Sequence, residues 1–164
     1  MNISRTKPGP GQESVWDYPR PPRLEPVAEQ LRIEFAGQII ATSENCYRVL
    51  ETSHPPTYYF PPDSIAEGVL RQIHKSSACE WKGRAHYFDV VVGSRVADAV
   101  AWSYAKPTRP FAAIQDYVSF YAEPMDACYV GDERVEPQPG NFYGGWVTSK
   151  VVGPFKGSPG TWHW

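Results

Sequence analysis

Two proline pairs, Pro55-Pro56 and Pro61-Pro62, bracket the four residues Thr57-Tyr58-Tyr59-Phe60. Each pair removes two backbone donors and fixes φ, which bars it from a helix interior or a central strand. Only one short aromatic strand fits between them. The same pattern runs through the whole chain: seventeen prolines and thirteen glycines in 164 residues leave few uninterrupted stretches, and aromatic residues reach 14%. That mixture predicts many short strands joined by turns.

The stretch from Glu51 to Pro62 holds a carboxylate, an imidazole and two phenols on this stiff frame. His54 is expected at a sheet edge, with Glu51 three residues before it. In an ideal strand the two side chains point to opposite faces, so their pairing requires a bend at Thr52-Ser53. Paired, Glu51 would orient the imidazole and raise its pKa, fitting His54 for general-base chemistry. The plainer alternative has His54 hydrogen-bonding the backbone and shaping the turn.

Along the chain, residues 1–26 read as an extended proline-rich arm, with Val15, Trp16 and Tyr18 apolar enough to dock on the body. A domain over residues 27–136 follows. Leu31 to Phe35 alternates cleanly and returns through an Ala36-Gly37 turn as Gln38 to Thr42. Tyr47 to Glu51 reads as a third strand. Ser64-Ile-Ala-Glu67 fits a capping box and predicts a helix of two or three turns reaching Ile73. Residues 76–83 read as a polar turn. His86–Val92 and Arg95–Tyr104 form a hairpin about Gly93-Ser94, with Val96, Asp98, Val100 and Trp102 on one face. A helical turn at residues 111–115, a strand at 117–121 and a hairpin about Gly131-Asp132 come next. Residues 137–164 form a glycine- and aromatic-rich arm with one strand at 146–152. The fold class is mainly β: one compact antiparallel barrel or sandwich with one or two short helices.

The charge balance narrows function by exclusion. Sixteen basic against eighteen acidic residues leave a net charge of −2 with no basic stripe, so nucleic acid is not an expected partner. No apolar run is long enough for a membrane span, and the N-terminus carries no apolar signal segment, which sets a cytoplasmic expectation. Cys46, Cys79 and Cys128 are read as reduced thiols. His54, His74, His86 and His163 show no paired ligand spacing, so neither a metal nor another cofactor is expected.

Further candidates gather around a lysine turn. Lys82 follows Cys79 by three residues, placing an ammonium where it could stabilise a thiolate. A small buried hydrophobe is the competing role for Cys79. Trp102 and Tyr104 project from one face at a strand end. With Tyr58 or Tyr59 they could wall an aromatic pocket in which Lys82 offers a charge to a carboxylate or phosphate; core filling is the alternative. Trp146, Phe155, Trp162 and Trp164 are assigned to covering a sheet edge or to a subunit contact, the latter giving a homodimer through the C-terminal arm.

The blocks Arg48 to Pro62, Cys79-Glu-Trp-Lys-Gly83, Val100-Ala-Trp-Ser-Tyr104 and Ile114 to Tyr121 resemble the DUF427 family, and the front and tail segments resemble its longer members. The resemblance implies a small protein of uncharacterised activity, sometimes labelled nucleotidyltransferase-like. No Asp-x-Asp pair accompanies that label here, and Gly153 to Thr161 fails the phosphate-loop pattern. Two functional readings stand together. One is a binding or regulatory module whose aromatic pocket takes a small anionic or nucleotide-like ligand. The other is a small hydrolase or transferase using Glu51 and His54 as a base pair with Cys79 or Lys82.

Overall fold

The computed structural model describes residues 3–164; the first two residues of the N-terminal arm lie outside it. Fifteen strands follow in order: β1 (Glu13–Ser14), β2 (Arg23–Pro26), β3 (Leu31–Phe35), β4 (Gln38–Ser43), β5 (Tyr47–Leu50), β6 (Thr57–Tyr59), β7 (Leu70–Cys79), β8 (Gly83–Val92), β9 (Arg95–Ser103), β10 (Val118–Phe120), β11 (Ala127–Val130), β12 (Glu133–Arg134), β13 (Glu136–Pro137), β14 (Trp146–Val147) and β15 (Val151–Val152). The fold is mainly β and sandwich-like, and its sheets do not close into a barrel.

One sheet has the order β10-β9-β8-β7, a second β12-β11-β3-β4 and a third β2-β5-β6. A bridge between Phe60 and Val118 joins the third sheet to the first, so the proline frame continues into β10. The main core lies between the sheets, with Leu31, Ile33, Phe35, Ile40, Phe60 and Phe120 almost fully buried. A second apolar cluster of Val49, Tyr59, Trp102, Tyr104, Phe111 and Ile114 sits on the other face of the third sheet.

The expected hairpins form where turn residues specify them. Ala36 and Gly37 both adopt positive φ, 52° and 75°, which suits a tight two-residue connection. Gly93 and Gly131 likewise turn with positive φ.

Four expectations are corrected. The helix through Ile73 is absent: Pro62–Ser64 forms a single 3-10 turn, Gly68 has φ +78°, and the chain then extends as β7. The polar turn at residues 76–83 is largely the end of this strand. Most of β7 is exposed, so no apolar alternation marks it in the sequence; its pairing with β8 holds it. The common face for Val96 to Trp102 is broken by a bulge at Ala99, which has φ +53° and donates its N–H to Asp89 at 2.8 Å. Val96 is consequently exposed while Val100 and Trp102 are buried. The strand at 146–152 divides into β14 and β15, which pair with β13 and β1 respectively.

The front and tail segments pack on the body. Val15 and Tyr18 join Leu50 and Val151 in a small core, and Trp16 donates its indole N–H to the Pro154 carbonyl. No helix among the described residues is long and apolar enough to cross a membrane.

Candidate functional site

The bend required between Glu51 and His54 exists. The His54 N–H donates to the Glu51 carbonyl at 3.0 Å, and Ser53 takes φ +72°, an uncommon conformation for a residue with a side chain. Both arms grip this turn. From the front, Ser53 N–H donates to Val15 and Thr52 N–H to Pro19, while Arg20 donates to the Thr52 carbonyl. From the tail, Lys156 N–H donates to the Ser53 carbonyl and Trp146 N–H to the Pro56 carbonyl. Proline lacks a donor but keeps its acceptor, so the frame is recognised through its carbonyls.

Beside the turn opens a cavity of about 570 Å³. It is lined by Glu51, His54, Tyr59, Cys79, Lys82, Trp102 and Tyr104, which the structure brings together from three separate stretches of chain. Tyr58 is not among them. Strand alternation turns it to the opposite face, where it packs on Trp146 with ring centroids 5.3 Å apart. There it borders a smaller hollow of about 340 Å³, in which Arg48 is held by Glu13 and Glu25. Glu25 is also paired with Arg23, so two guanidinium groups face two carboxylates beside the smaller hollow.

The lysine turn closes the cavity on one side. Cys79 pairs with Gly83 across the β7–β8 connection, and Thr108 fixes that connection by donating to the carbonyls of Lys82 and Trp81. Lys82 lies over the Tyr104 ring, its Nζ 5.8 Å from the centroid. Burial works against its ammonium, but the nearby Tyr59, Cys79 and Glu51 groups outweigh burial and hold its pKa above the ordinary lysine value. Lys82 is therefore charged at neutral pH. Among the described residues no carboxylate oxygen comes within 4 Å of it. The Tyr59 hydroxyl is fully buried and unpartnered, with Trp102 and Tyr104 as close polar neighbours. A buried hydroxyl left in this state loses free energy, about 1–3 kcal/mol, that a ligand atom could restore.

His54 differs from expectation. Burial, reinforced by the positive charges of Lys156, Arg20 and Lys82, pushes its pKa down to about 3 instead of up. Its tautomer follows from Gln138. The Gln138 Oε1 accepts the Gly145 N–H at 3.0 Å, so its amide nitrogen faces the other way, donating to the Lys156 carbonyl at 2.8 Å and to His54 Nδ1 at 3.0 Å. With Nδ1 accepting, the imidazole proton resides on Nε2. The Glu51 carboxylate, also shared with Arg20 at 3.4 Å, stands 3.7 Å from Nε2, beyond hydrogen-bond length. In this state His54 presents a neutral N–H donor near the cavity. It does not present the free basic nitrogen that a general base needs.

The tail supplies residues that spacing gave no reason to choose. Tyr143 stands edge-on to His54 with centroids 4.7 Å apart, and Lys156 lies 5.4 Å from the Tyr143 centroid. Gly144 passes so close to Trp102 that a Cβ would come within 2.2 Å of the indole. Phe142, which lines the cavity, and its neighbour Trp162 are both more than half exposed. Only the conjunction of a tail glutamine with a buried imidazole identifies Gln138, and that conjunction exists in three dimensions alone.

No curated protein matches the chain. The family model described as Domain of unknown function (DUF427) matches residues 23–131, so the lysine turn and proline frame fall inside the match, and Gln138, Tyr143 and Lys156 outside it. With well over half of its length matched, the chain belongs to the DUF427 family.

Proposed function

We propose that the protein is a binding module for a small anionic ligand with a flat ring, of nucleotide-like size. The carrying observation is the half-buried Lys82 ammonium, in contact with no carboxylate among the described residues, beside the unpartnered Tyr59 hydroxyl. A half-buried ammonium whose acidic neighbour Glu51 stays out of contact favours an anion that reaches it. The neutral Nε2–H of His54 adds a donor that carries no charge of its own. Trp102, Tyr104, Tyr121 and Tyr143 offer ring faces for stacking. A volume of about 570 Å³ lies within the range of small-ligand pockets.

The test is thermal unfolding with adenosine monophosphate, benzoate and uncharged adenosine. The two anions should raise the melting temperature more than adenosine does. At a hundredfold excess over Kd, a bound ligand adds about 2.7 kcal/mol to stability. Lys82→Met should weaken anion binding at least about tenfold, the value of one charge-assisted hydrogen bond. If neither anion shifts unfolding more than adenosine does, the proposal fails.

A further inference from the structure

Of the three cysteines, Cys46 and Cys128 are sealed in the main core at 1% and 2% exposure. Cys79 is partly exposed and lines the cavity. Its thiol lies beside the Lys82 ammonium and packs against the cluster of Tyr59, Trp102 and Tyr104. A thiol alone would carry no argument. The second observation is the Tyr59 hydroxyl, fully buried, without a partner and lining the same cavity. A nucleophile, a cation and an idle donor thus share one aromatic chamber.

We infer that Cys79 is an addition site for a small α,β-unsaturated carbonyl compound that carries its own anionic group. This deepens the anion-binding reading and rests on it. In the step, the thiol gives up its proton to water in the open cavity and Sγ bonds to the β-carbon. The C=C electron pair moves toward the carbonyl oxygen as an enolate, and the α-carbon then takes up a proton. The net change is addition of S–H across the double bond, with no leaving group and no oxidant. Lys82, lining the same cavity, holds the anionic group of the compound beside the sulfur, and the Tyr59 hydroxyl donates to the enolate oxygen as charge develops there. His54 stays outside the proton transfers, because its free nitrogen already bears hydrogen.

The test compares benzoylacrylate with its neutral amide, benzoylacrylamide, which presents the same electrophile without the charge. Adduct formation on the full chain is followed by intact mass and peptide mapping, with glutathione setting the intrinsic rate ratio. The expected result is a single adduct on Cys79, forming with saturable kinetics. The acid-over-amide ratio should exceed that of glutathione by at least about tenfold, the contribution of one charge-assisted contact. Tyr59→Phe removes a hydroxyl that bonds nothing in the free protein, so it should fold normally and still form the adduct at least about tenfold more slowly. No adduct, an adduct at Cys46 or Cys128, a ratio equal to that of glutathione, or an unchanged rate in Tyr59→Phe would each overturn the inference. If adenosine monophosphate still stabilises the protein in that case, the anion-binding reading stands and only the addition chemistry falls. If neither anions nor charge selectivity register, both fall.

Discussion

His54 illustrates how one neighbour can decide what a residue does. A histidine three residues from a glutamate reads as a charged pair, but the folded chain gives its Nδ1 to an amide donor and buries the ring. The pH consequence has a definite sign. The folded imidazole protonates only near pH 3, against 6.5 for an ordinary histidine, so between these values the unfolded chain holds the extra proton. Stability from this group is fully present above about pH 6.5 and drains as pH falls toward 3. The limiting slope is about 1.4 kcal/mol per pH unit. Chemical denaturation at pH 6.5 and pH 5 should show that slope in the native chain and a flatter one in His54→Gln. Gln138→Glu should act in the opposite sense: a carboxylate accepts from Nδ1–H, the imidazolium is favoured, and the histidine titration followed by NMR moves upward toward neutrality. An unmoved titration in Gln138→Glu would mean that Gln138 does not set the state of this ring.

At the scale of elements, turn chemistry was legible and long-range pairing was not. Ala36-Gly37 and Gly93-Ser94 announce their hairpins, and alternation fixes the face of Leu31, Ile33 and Phe35. The apparent capping box at Ser64 misleads because Pro61-Pro62 impose an extended entry and Gly68 turns the chain out of helical space. The bulge at Ala99 depends on Asp89, ten residues away on another strand, so local periodicity could not reveal it. The same distinction runs through the site. Glu51, His54, Cys79 and Lys82 stand out by residue type, whereas Gln138, Tyr143 and Lys156 matter only because the tail folds back over the proline frame. Gly144 tests that return. Its missing Cβ is the space occupied by the Trp102 indole, so Gly144→Ala should force the tail from the ring and cost about 1–3 kcal/mol by overpacking. Trp102 fluorescence and ligand affinity should change together; retention of both would place the tail's tolerance above what this contact allows.

For the molecule as a whole, residues on either side of the family segment share its packed cores. Trp146 belongs to the tail, yet it is among the largest fully buried side chains. Its indole N–H donates to the Phe120 carbonyl at 3.0 Å, and its ring meets both Tyr58 and Phe60. The front arm contributes Val15 and Tyr18 to a core shared with Leu50 and Val151. Residues 23–131 alone would therefore expose the faces that these side chains cover and free both sides of the Glu51–His54 turn. Trp146→Ala in the full chain should cost about 3–5 kcal/mol, as expected for deleting a buried tryptophan. The isolated segment should show a broad unfolding transition, bind a hydrophobic dye and lose anion-dependent stabilisation, because Lys82 would remain while the His54 tautomer would no longer be held. A segment that unfolds sharply and binds adenosine monophosphate like the full chain would show that the site is built by the proline frame and the lysine turn alone, with the arms acting only as cover.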